Sequence, residues 1–310
     1  MSKRTERSRE PSPAATADHR SGFAALVGRP NVGKSTLLNA LMGEKLSIVT
    51  PRPQTTRHRV LGVHTTESAQ IVFVDTPGLH RGGSRALNRA MNRTAAAALA
   101  EADLDVLVLE ALQWTEEDEL VLRRIAQGGR PALAAVNKID RVRPRERLLP
   151  YLGELARRHA FLELVPVSGL KGKNLQPLTE AIARHLPVSP ALFPKEQRTD
   201  RDERFRIAEL IREKLTLVLA QELPYGIAVE IERAAEEEGQ LTIDAAIWVD
   251  REGHKPIVIG ARGERLKQVG RSARLELNRL LGRRLHLTLW VKVREGWADS
   301  ARALKQLGLE

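Results

Sequence analysis

The stretch GRPNVGKS at residues 28–35 constrains this chain more than any other. It fits the pattern Gly, four residues, Gly-Lys-Ser/Thr, in which a glycine-containing loop surrounds nucleotide phosphates. An apolar run at 23–27 predicts a buried strand before the loop, and residues 36–42 predict a helix after it. A strand, a loop and a helix N-terminus point several backbone N–H groups at one place, where an anion binds. The sequence therefore predicts a site for nucleotide phosphates.

The side chains of this loop have distinct predicted roles. Gly28 and Gly33 allow a tight turn and a close approach of the backbone to phosphate. Lys34 reaches the outer phosphates and takes part in catalysis, and the Ser35 hydroxyl binds a magnesium ion. The residues predicted to contact the nucleotide here are Gly28, Arg29, Pro30, Asn31, Val32, Gly33, Lys34, Ser35 and Thr36.

A second predicted strand, residues 71–74, runs directly into the sequence DTPG. Ligands of α/β sheets bind beyond the carboxyl ends of the strands. Asp75 is therefore predicted to hold magnesium through water, and the Gly78 N–H to donate to the terminal phosphate. The residues predicted to contact nucleotide in this stretch are Asp75, Thr76, Pro77, Gly78 and Leu79.

The segment 47–59 lies between these two motifs and predicts a loop, because Pro51 and Pro53 prevent a regular helix. Thr55 and Thr56 both offer a hydroxyl to a ligand. Either can supply a second magnesium-binding hydroxyl once the terminal phosphate is present.

Two further motifs predict recognition of guanine. Asn137, Lys138 and Asp140 follow an apolar strand in the sequence NKID, and the Asp140 carboxylate can accept two hydrogen bonds from guanine. Adenine offers no such pair of donors, so it would leave the buried acceptor unpaired. Ser168 and Gly169 follow the next strand, and the backbone N–H after Ser168 can donate to the guanine carbonyl oxygen.

The periodicity of residues 21–187 predicts an α/β domain with a mainly parallel sheet flanked by helices. A helix is predicted at 116–126. The predicted strands are residues 23–27, 60–63, 71–74, 104–109, 132–136 and 164–167.

The second half of the chain predicts a different, smaller α/β domain. A helix at 204–220 is followed by strands at 227–231 and 241–249, with a solvated turn at 236–238 between them. A further helical segment, the sequence GARG, a helix at 264–281 and a strand at 285–293 complete the order. This order is that of a type II KH domain, whose Gly-x-x-Gly loop clamps about four nucleotides. The predicted RNA-binding residues are Gly260, Ala261, Arg262, Gly263 and Lys267.

The charge of the chain supports a polyanionic partner for this second domain. The formal net charge is +11, and residues 251–294 alone contain 12 Lys or Arg and 3 Asp or Glu. Such a concentration of cations on one segment is typical of RNA-binding surfaces. Only 4% of the residues are aromatic, so backbone clamping is expected to matter more than extensive base stacking.

Composition also excludes several classes of protein. The chain has no cysteine, which excludes disulfides, thiolate metal sites and cysteine nucleophiles. It has no apolar stretch of about 18 residues and no apolar segment near its basic N-terminus, so we expect neither a membrane span nor a secretory signal. The 310 residues are predicted to form a disordered tail at 1–20, a nucleotide-binding domain at 21–187, a linker at 188–200 and an RNA-binding domain at 201–310.

The ordered motifs resemble those of the Era family of bacterial GTPases. The resemblance rests on GRPNVGKSTLLN, PQTTRH, VFVDTPGL, NKID and SGLKG, followed by VIGARG and the closing VKVREGWADSARALKQLG. It covers about residues 21–309 and leaves out the basic N-terminal tail. The chain departs from the usual Ser-Ala pair of such GTPases by having Gly169.

The resemblance implies a function. It implies GTP hydrolysis with GTP or GDP and Mg²⁺ bound, and binding of the 3′ end of small-subunit ribosomal RNA during maturation of the 30S subunit. It implies a cytoplasmic protein that can attach peripherally to the inner face of the cell membrane. We expect a monomer without a DNA partner.

The resemblance also assigns roles to particular residues. It favours Thr56 over Thr55 as the magnesium ligand. It places Leu79 where other GTPases have the glutamine that orients the attacking water, which implies slow intrinsic turnover. Asn31 matches a position that helps to bind potassium in related GTPases, so potassium-stimulated catalysis is a further hypothesis.

Two alternative functions are weighed against this interpretation. A metabolic enzyme that phosphorylates a small substrate is disfavoured, because NKID specifies guanine and no acceptor motif is visible. A GTPase that acts on another RNA, in tRNA modification or large-subunit assembly, is the stronger alternative, because the Gly-x-x-Gly loop does not identify the RNA.

Overall fold

A computed structural model of the chain describes residues 19–52, 55–77, 86–219, 223, 226–237 and 240–309. Residues 1–18, most of the predicted tail, lie outside this range, as do Gly78 and Leu79. Arg20, predicted to belong to the tail, is instead part of the first strand and lies opposite Ala69.

The first domain contains a six-stranded sheet in the order β2-β3-β1-β4-β5-β6. Only β2 runs antiparallel to its neighbour, so the predicted fold class of a mainly parallel sheet is confirmed. The strands are β1 (Arg20–Val27), β2 (Val60–Thr65), β3 (Ala69–Asp75), β4 (Leu104–Glu110), β5 (Ala132–Asn137) and β6 (Leu164–Pro166).

Helices cover both faces of this sheet. They are α1 (Lys34–Met42), α2 (Ala86–Glu101), α3 (Glu116–Gly128), α4 (Leu148–Arg158) and α5 (Leu175–His185). The alternation of β1 explains the two layers: Ala24 and Leu26 pack with α1 and α5, whereas Ala25 and Val27 pack with α2, α3 and α4. Because both faces are covered, the central residues of the strands are apolar, whereas Asp75, Glu110 and Asn137 lie at carboxyl ends of strands.

The linker 188–200 contains neither a helix nor a strand, and it leads into a three-stranded sheet in the order β7-β8-β9. The strands β8 and β9 are parallel, and β7 and β8 form an antiparallel hairpin. The elements are α6 (Glu203–Leu219), β7 (Ile227–Glu237), β8 (Gln240–Val249), α7 (Lys255–Ile259), α8 (Glu264–Leu281), β9 (Leu285–Val293) and α9 (Ala301–Gln306).

The predicted turn at 236–238 is wrong for its first two residues. Glu236 lies opposite Leu241 and Glu237 opposite Gln240, so the hairpin continues two residues further than expected. The acidic side chains suggested a solvated turn, but an exposed strand end solvates a carboxylate equally well: the Glu236 side chain is exposed. Glu238 lies outside the described residues.

The two domains share a buried apolar cluster. Trp297, which follows β9, has no exposed surface and packs with Leu87 and Met91 of α2 and with Leu304 of α9. Burial of a complete tryptophan side chain contributes roughly 2–3 kcal/mol or more. The nucleotide-binding domain is therefore in direct contact with the second domain.

None of the helices in the described residues has the length and the apolar composition of a membrane span.

Candidate nucleotide site and basic groove

The phosphate loop lies between the end of β1 and the start of α1. Gly33 is the residue before the helix, and its φ of 99° is in the left-handed region that favours glycine. A Cβ atom at Gly33 would lie 2.5 Å from Asn137 Nδ2, so a larger residue is also excluded by contact. The glycine brings the first N–H groups of α1 to the mouth of a cavity of about 410 Å³, large enough for part of a nucleotide.

Lys34 is buried at the base of this loop. Its ammonium donates to the backbone oxygens of Gly28 at 2.9 Å and Arg29 at 3.0 Å. Burial lowers the pKa of Lys34 to about 8, and the carboxylate of Asp75 opposes that shift. A phosphate at the loop would favour the charged ammonium, as expected of a residue that binds anions.

Three oxygen-bearing side chains meet next to Lys34. The Ser35 hydroxyl lies 2.8 Å from the Thr56 hydroxyl and donates to Asp75 Oδ2 at 2.8 Å. Thr55 lies apart from this cluster, because its hydroxyl contacts Thr50 and donates to the Arg52 oxygen. The structure therefore brings together the three predicted magnesium residues and separates Thr55 from them.

The chemistry of this cluster fits Mg²⁺, which prefers hard oxygen ligands. Asp75 is completely buried, and burial raises the pKa of its carboxyl, while Lys34 opposes the shift. Among the described residues, the second carboxylate oxygen, Oδ1, is buried and has no hydrogen-bond partner of ordinary geometry, although Ser47 and the Thr76 backbone help to oppose the rise of the Asp75 pKa. A buried carboxylate with an unpaired oxygen is stabilised by a cation.

The predicted guanine motifs meet at the carboxyl ends of β5 and β6. Ser168 donates to Asp140 Oδ1 at 2.5 Å, which orients the carboxylate. Asn137 Nδ2 donates to the Val32 oxygen at 2.9 Å, so it connects this region to the phosphate loop. Lys138 lies at the cavity wall and donates to the Asn31 oxygen at 2.6 Å.

Gly169 differs from its predicted role. Its N–H, expected to donate to guanine, donates instead to Asn137 Oδ1 at 3.0 Å. A contact with the guanine carbonyl would have to share or replace this bond. The missing side chain is explained by packing, because a Cβ atom at Gly169 would lie 3.0 Å from Leu37 Cα in α1.

Several predicted residues can contact nucleotide only through their backbone. Arg29 points away from the cavity and donates to Asp118 Oδ2 and Gln113 Oε1, both at 3.0 Å. Val32 is fully buried in the core, and the Thr76 hydroxyl donates to the Leu26 oxygen at 3.2 Å.

Other predicted residues are at the cavity or cannot be placed. Pro30, Asn31 and Thr36 line the cavity. Pro77 follows the end of β3. The predicted roles of Gly78 and Leu79 fall outside the described residues. Arg141 also lines the cavity but was not predicted to do so. Its position directly after NKID indicated that it lies near the nucleotide site.

The loop of residues 47–59 is held by the second domain. Glu213 of α6 accepts from the Val49 N–H at 3.0 Å, and Arg212 donates to the Thr55 oxygen. His58 lies edge-to-face against Phe205, and burial lowers the pKa of His58 to about 4. Thr56 is thus flanked on both sides by residues that α6 contacts. Arg212 and Glu213 carried no signal in the sequence, because their partners are more than 150 residues away.

A second candidate site is a groove between α8 and β9. The GARG sequence forms the connection from α7 to α8, and Arg262 is exposed. Gly263 has a φ of 77°, and a Cβ atom there would meet nothing within 4 Å, so the loop is open at this residue, whereas a Cβ atom at Gly260 would lie 2.7 Å from Arg265 Cγ. The groove has a volume of about 600 Å³. It is lined by Gly263, Leu266, Lys267, Gly270, Arg271, Arg274, His286, Leu287, Thr288 and Leu289.

One face of α8 gives this groove its charge. Lys267, Arg271 and Arg274 are exposed and follow one another at helical spacing. Within the described part of the chain, none of the three forms an ion pair. Sequence reasoning named Lys267 but missed Arg271 and Arg274, although their spacing after the glycine loop indicated the same face.

Comparisons with known proteins agree with a GTPase domain followed by a KH domain. A family model described as a 50S ribosome-binding GTPase matches residues 23–138, and one described as a KH domain matches residues 222–298. The chain is 51% identical over 292 residues to the GTPase Era of Marinobacter nauticus, with 94% of this chain and 96% of that relative covered.

Two solved structures are similar over nearly the full length. One is an Aquifex aeolicus Era variant bound to GDP and AlF4⁻, and the other is Era in complex with MgGDPNP and nucleotides 1506–1542 of 16S ribosomal RNA. Each is 40% identical, has a TM-score of 0.90, and covers 94% of this chain and 99% of its own.

The position of Asp140 predicts a change of base specificity. In Asp140→Asn, the amide can keep an acceptor toward Ser168 but faces the base with a donor, which opposes the guanine donors. GDP affinity should fall about 100-fold, and xanthosine diphosphate, which has a carbonyl in place of the guanine amine, should bind better than to the wild type. Titration calorimetry with both nucleotides measures this. An equal loss for both would show that the substitution merely damages the loop.

The pKa of Lys34 predicts proton uptake on nucleotide binding. With a pKa lowered to about 8, part of the free protein would have a neutral Lys34 near pH 8, and bound phosphates should restore the ammonium. GDP binding should therefore take up more protons at pH 8 than at pH 7, and affinity should weaken as the pH rises above the pKa of the free protein. Calorimetry in two buffers of different ionisation enthalpy measures the uptake. No difference between the two pH values would contradict this assignment.

Proposed function

The chain belongs to the GTPase Era family, and we propose that it is a GTP-hydrolysing switch that binds the 3′ end of small-subunit ribosomal RNA and assists assembly of the 30S subunit. The observation that carries the proposal is the presence, in one chain, of the Ser35–Thr56–Asp75 cluster and an open basic groove beside a Gly-x-x-Gly loop. The first supports GTP hydrolysis and the second supports RNA binding.

The protein's own residues account for phosphate binding. The N–H groups at the start of α1 would bind the phosphates, and the Lys34 ammonium would neutralise charge on the phosphoryl group that is transferred. Ser35, Thr56 and Asp75 would hold Mg²⁺, which adds a further positive charge at the phosphates. Leu79 cannot orient water through a polar group. We therefore propose slow intrinsic turnover, with the Gly78 N–H acting on the terminal phosphate.

Guanine selection is proposed for Asp140, with Asn137, Lys138, Ser168 and Gly169 around the base. The Ser168 hydrogen bond fixes one oxygen of the Asp140 carboxylate. A fixed charged acceptor discriminates strongly against a base that leaves it unpaired.

RNA binding is proposed for the groove between α8 and β9. Gly260, Ala261, Arg262 and Gly263 would approach the sugar-phosphate backbone, and Lys267, Arg271 and Arg274 would supply charge along it. The solved Era complex with nucleotides 1506–1542 of 16S ribosomal RNA supports small-subunit RNA as the partner.

The alternative is an RNA outside the small subunit. The description of the matching GTPase family model refers to the 50S ribosome. That model covers only residues 23–138, whereas the Era complex with 16S RNA is similar over 94% of this chain. We therefore favour the small subunit.

The contacts of α6 with the 47–59 loop support communication between the two sites. Glu213 of α6 accepts a hydrogen bond from the Val49 N–H in this loop. The Lys45 ammonium lies 2.5 Å from a carboxylate oxygen of Glu213 and 2.5 Å from one of Glu276, which belongs to α8. A change in the loop on hydrolysis would therefore act on helices of the RNA-binding domain.

We also propose a cytoplasmic monomer. Attachment to the inner face of the cell membrane follows from the family resemblance alone, and sedimentation with lipid vesicles tests it.

The exposed Arg262 provides the test of RNA binding. An oligonucleotide of the small-subunit rRNA 3′ end should bind the wild type more tightly than a scrambled sequence does. Arg262→Glu should weaken this binding about tenfold, because it replaces a cation near phosphate by an anion, and should leave GDP affinity unchanged. Fluorescence anisotropy in GTP-analogue and GDP states measures both effects. Equal, weak binding of the two RNA sequences would reject the proposed partner.

Asn31 provides the test of potassium-assisted hydrolysis. Its side-chain amide donates to the Pro51 oxygen at 3.2 Å, so it lies at the mouth of the cavity beside the 47–59 loop. We propose that GTP hydrolysis is several-fold faster in KCl than in NaCl and that Asn31→Ala removes this difference. The rate of phosphate release, measured in KCl and in NaCl at equal ionic strength, tests this proposal. Equal rates in the two salts would contradict a potassium site.

A further inference from the structure

The edge strand β9 has two different faces. Leu285, Leu287, Leu289, Val291 and Val293 belong to the core of the domain. Because side chains alternate along a strand, the residues between them face the other side of the sheet. Those residues are His286, Thr288, Trp290 and Lys292.

Trp290 is unusual among the four tryptophans of the chain, because 53% of its surface is exposed. Trp297 is fully buried, Trp114 lies 4.4 Å from the Arg158 guanidinium, and Trp248 donates from its ring nitrogen to Glu230. In the described residues, Trp290 has neither a hydrogen bond nor a ring partner. A large apolar ring thus stands in solvent in the middle of a regular strand.

Trp290 is continuous with the basic groove. Thr288 lines the groove, and Trp290 follows two residues later on the same face of the strand, about 7 Å away. Among the strands of the described residues, β9 pairs with β8 alone, so within this part of the chain its other edge is free where the groove opens. A chain that leaves the groove past Thr288 would therefore meet the ring next.

The charges around Trp290 permit a polyanion along β9. The outer positions of β9 contain no acidic residue, and Lys292 follows Trp290 there. Acidic side chains lie on the neighbouring strands: Asp244 is opposite Thr288, and Glu232 pairs with Lys292 at 2.5 Å. These acids disfavour a path across the sheet, and leave the free edge of β9 as the accessible route.

We propose that Trp290 is a base-stacking site for a nucleotide of RNA that leaves the groove past Thr288. Exposed bases of single-stranded RNA stack on aromatic rings, and such stacking tolerates any base sequence. The inference rests on the proposed RNA-binding function. It adds a contact beyond the nucleotides held by the Gly-x-x-Gly loop, and it explains why a tryptophan here remains exposed.

Oligonucleotides of two lengths test the proposal. The probes are a four-nucleotide RNA from the small-subunit rRNA 3′ end, which matches the span of a KH groove, and a 12-nucleotide RNA that extends it in both directions. Trp290→Ala should weaken binding of the longer RNA about tenfold and leave the shorter one unchanged. Trp290→Phe should keep most of the affinity, and Leu275→Ala, which removes another half-exposed apolar side chain from this domain, should change neither.

A second measurement does not depend on a destabilising substitution. The longer RNA should quench tryptophan fluorescence and protect it from acrylamide in the wild type, and Trp290→Phe should abolish most of both effects. Unchanged affinities in Trp290→Ala, unchanged acrylamide access, or an equal loss for both RNA lengths would overturn the stacking site. Failure of either RNA to bind the wild type would instead reject the proposed RNA-binding function.

Discussion

The buried carboxylate of Asp75 is the group on which the nucleotide site depends. A carboxylate without solvent is unfavourable unless charges or hydrogen bonds compensate it. Here the compensation comes from the Ser35 hydroxyl, which donates to Oδ2, and from the nearby Lys34 ammonium. Both residues begin α1, so the same helix start that presents N–H groups to phosphate also stabilises the acid. The positions of the phosphate-binding N–H groups and of the Asp75 carboxylate are therefore linked through the start of α1.

The third member of this cluster, Thr56, depends on the second domain. It comes from a loop rather than from the sheet or a helix, and Arg212 contacts the residue before it. The side chain after it, Arg57, donates to the Ile227 oxygen at the start of β7. Contacts with α6 and β7 therefore hold the loop that brings Thr56 to Ser35 and Asp75. That arrangement gives a physical reason for a nucleotide site to sense the state of an RNA-binding domain.

Local patterns of the sequence predicted much of this structure. The helix 264–281 and the strand 285–293 have the predicted bounds, because their periodicity and flanking glycines are local signals. Asp75, Asp140 and Ser168 were predicted near the site because parallel strands bring their carboxyl ends to one edge, whereas Arg141 and the cavity-lining residues 48–52 were not predicted.

Contacts between distant segments were not predictable in this way. The partners of Arg212 and Glu213 are determined by the packing of the two domains. The hydrogen bond from the Gly169 N–H to Asn137 Oδ1 depends on the relative position of the end of β5 and the loop that follows β6. The exposure of Trp290 was not predicted either, since the alternation of residues along a strand does not show which face of the sheet remains uncovered.

Both candidate sites use the same backbone device, a glycine before a helix, and its surroundings decide the ligand. Gly33 and Gly263 each precede a helix in left-handed conformation, so each exposes the N–H groups of a helix start. Gly33 lies against Asn137 at a cavity lined by Lys34, Ser35 and Thr56, a set of groups that suits phosphates with a metal ion. At Gly263 an added Cβ would meet nothing, and the loop opens onto a groove lined by Lys267, Arg271 and Arg274. Cations spaced along a groove suit a polymer of phosphates, whereas the oxygen groups beside Lys34 suit a single nucleotide.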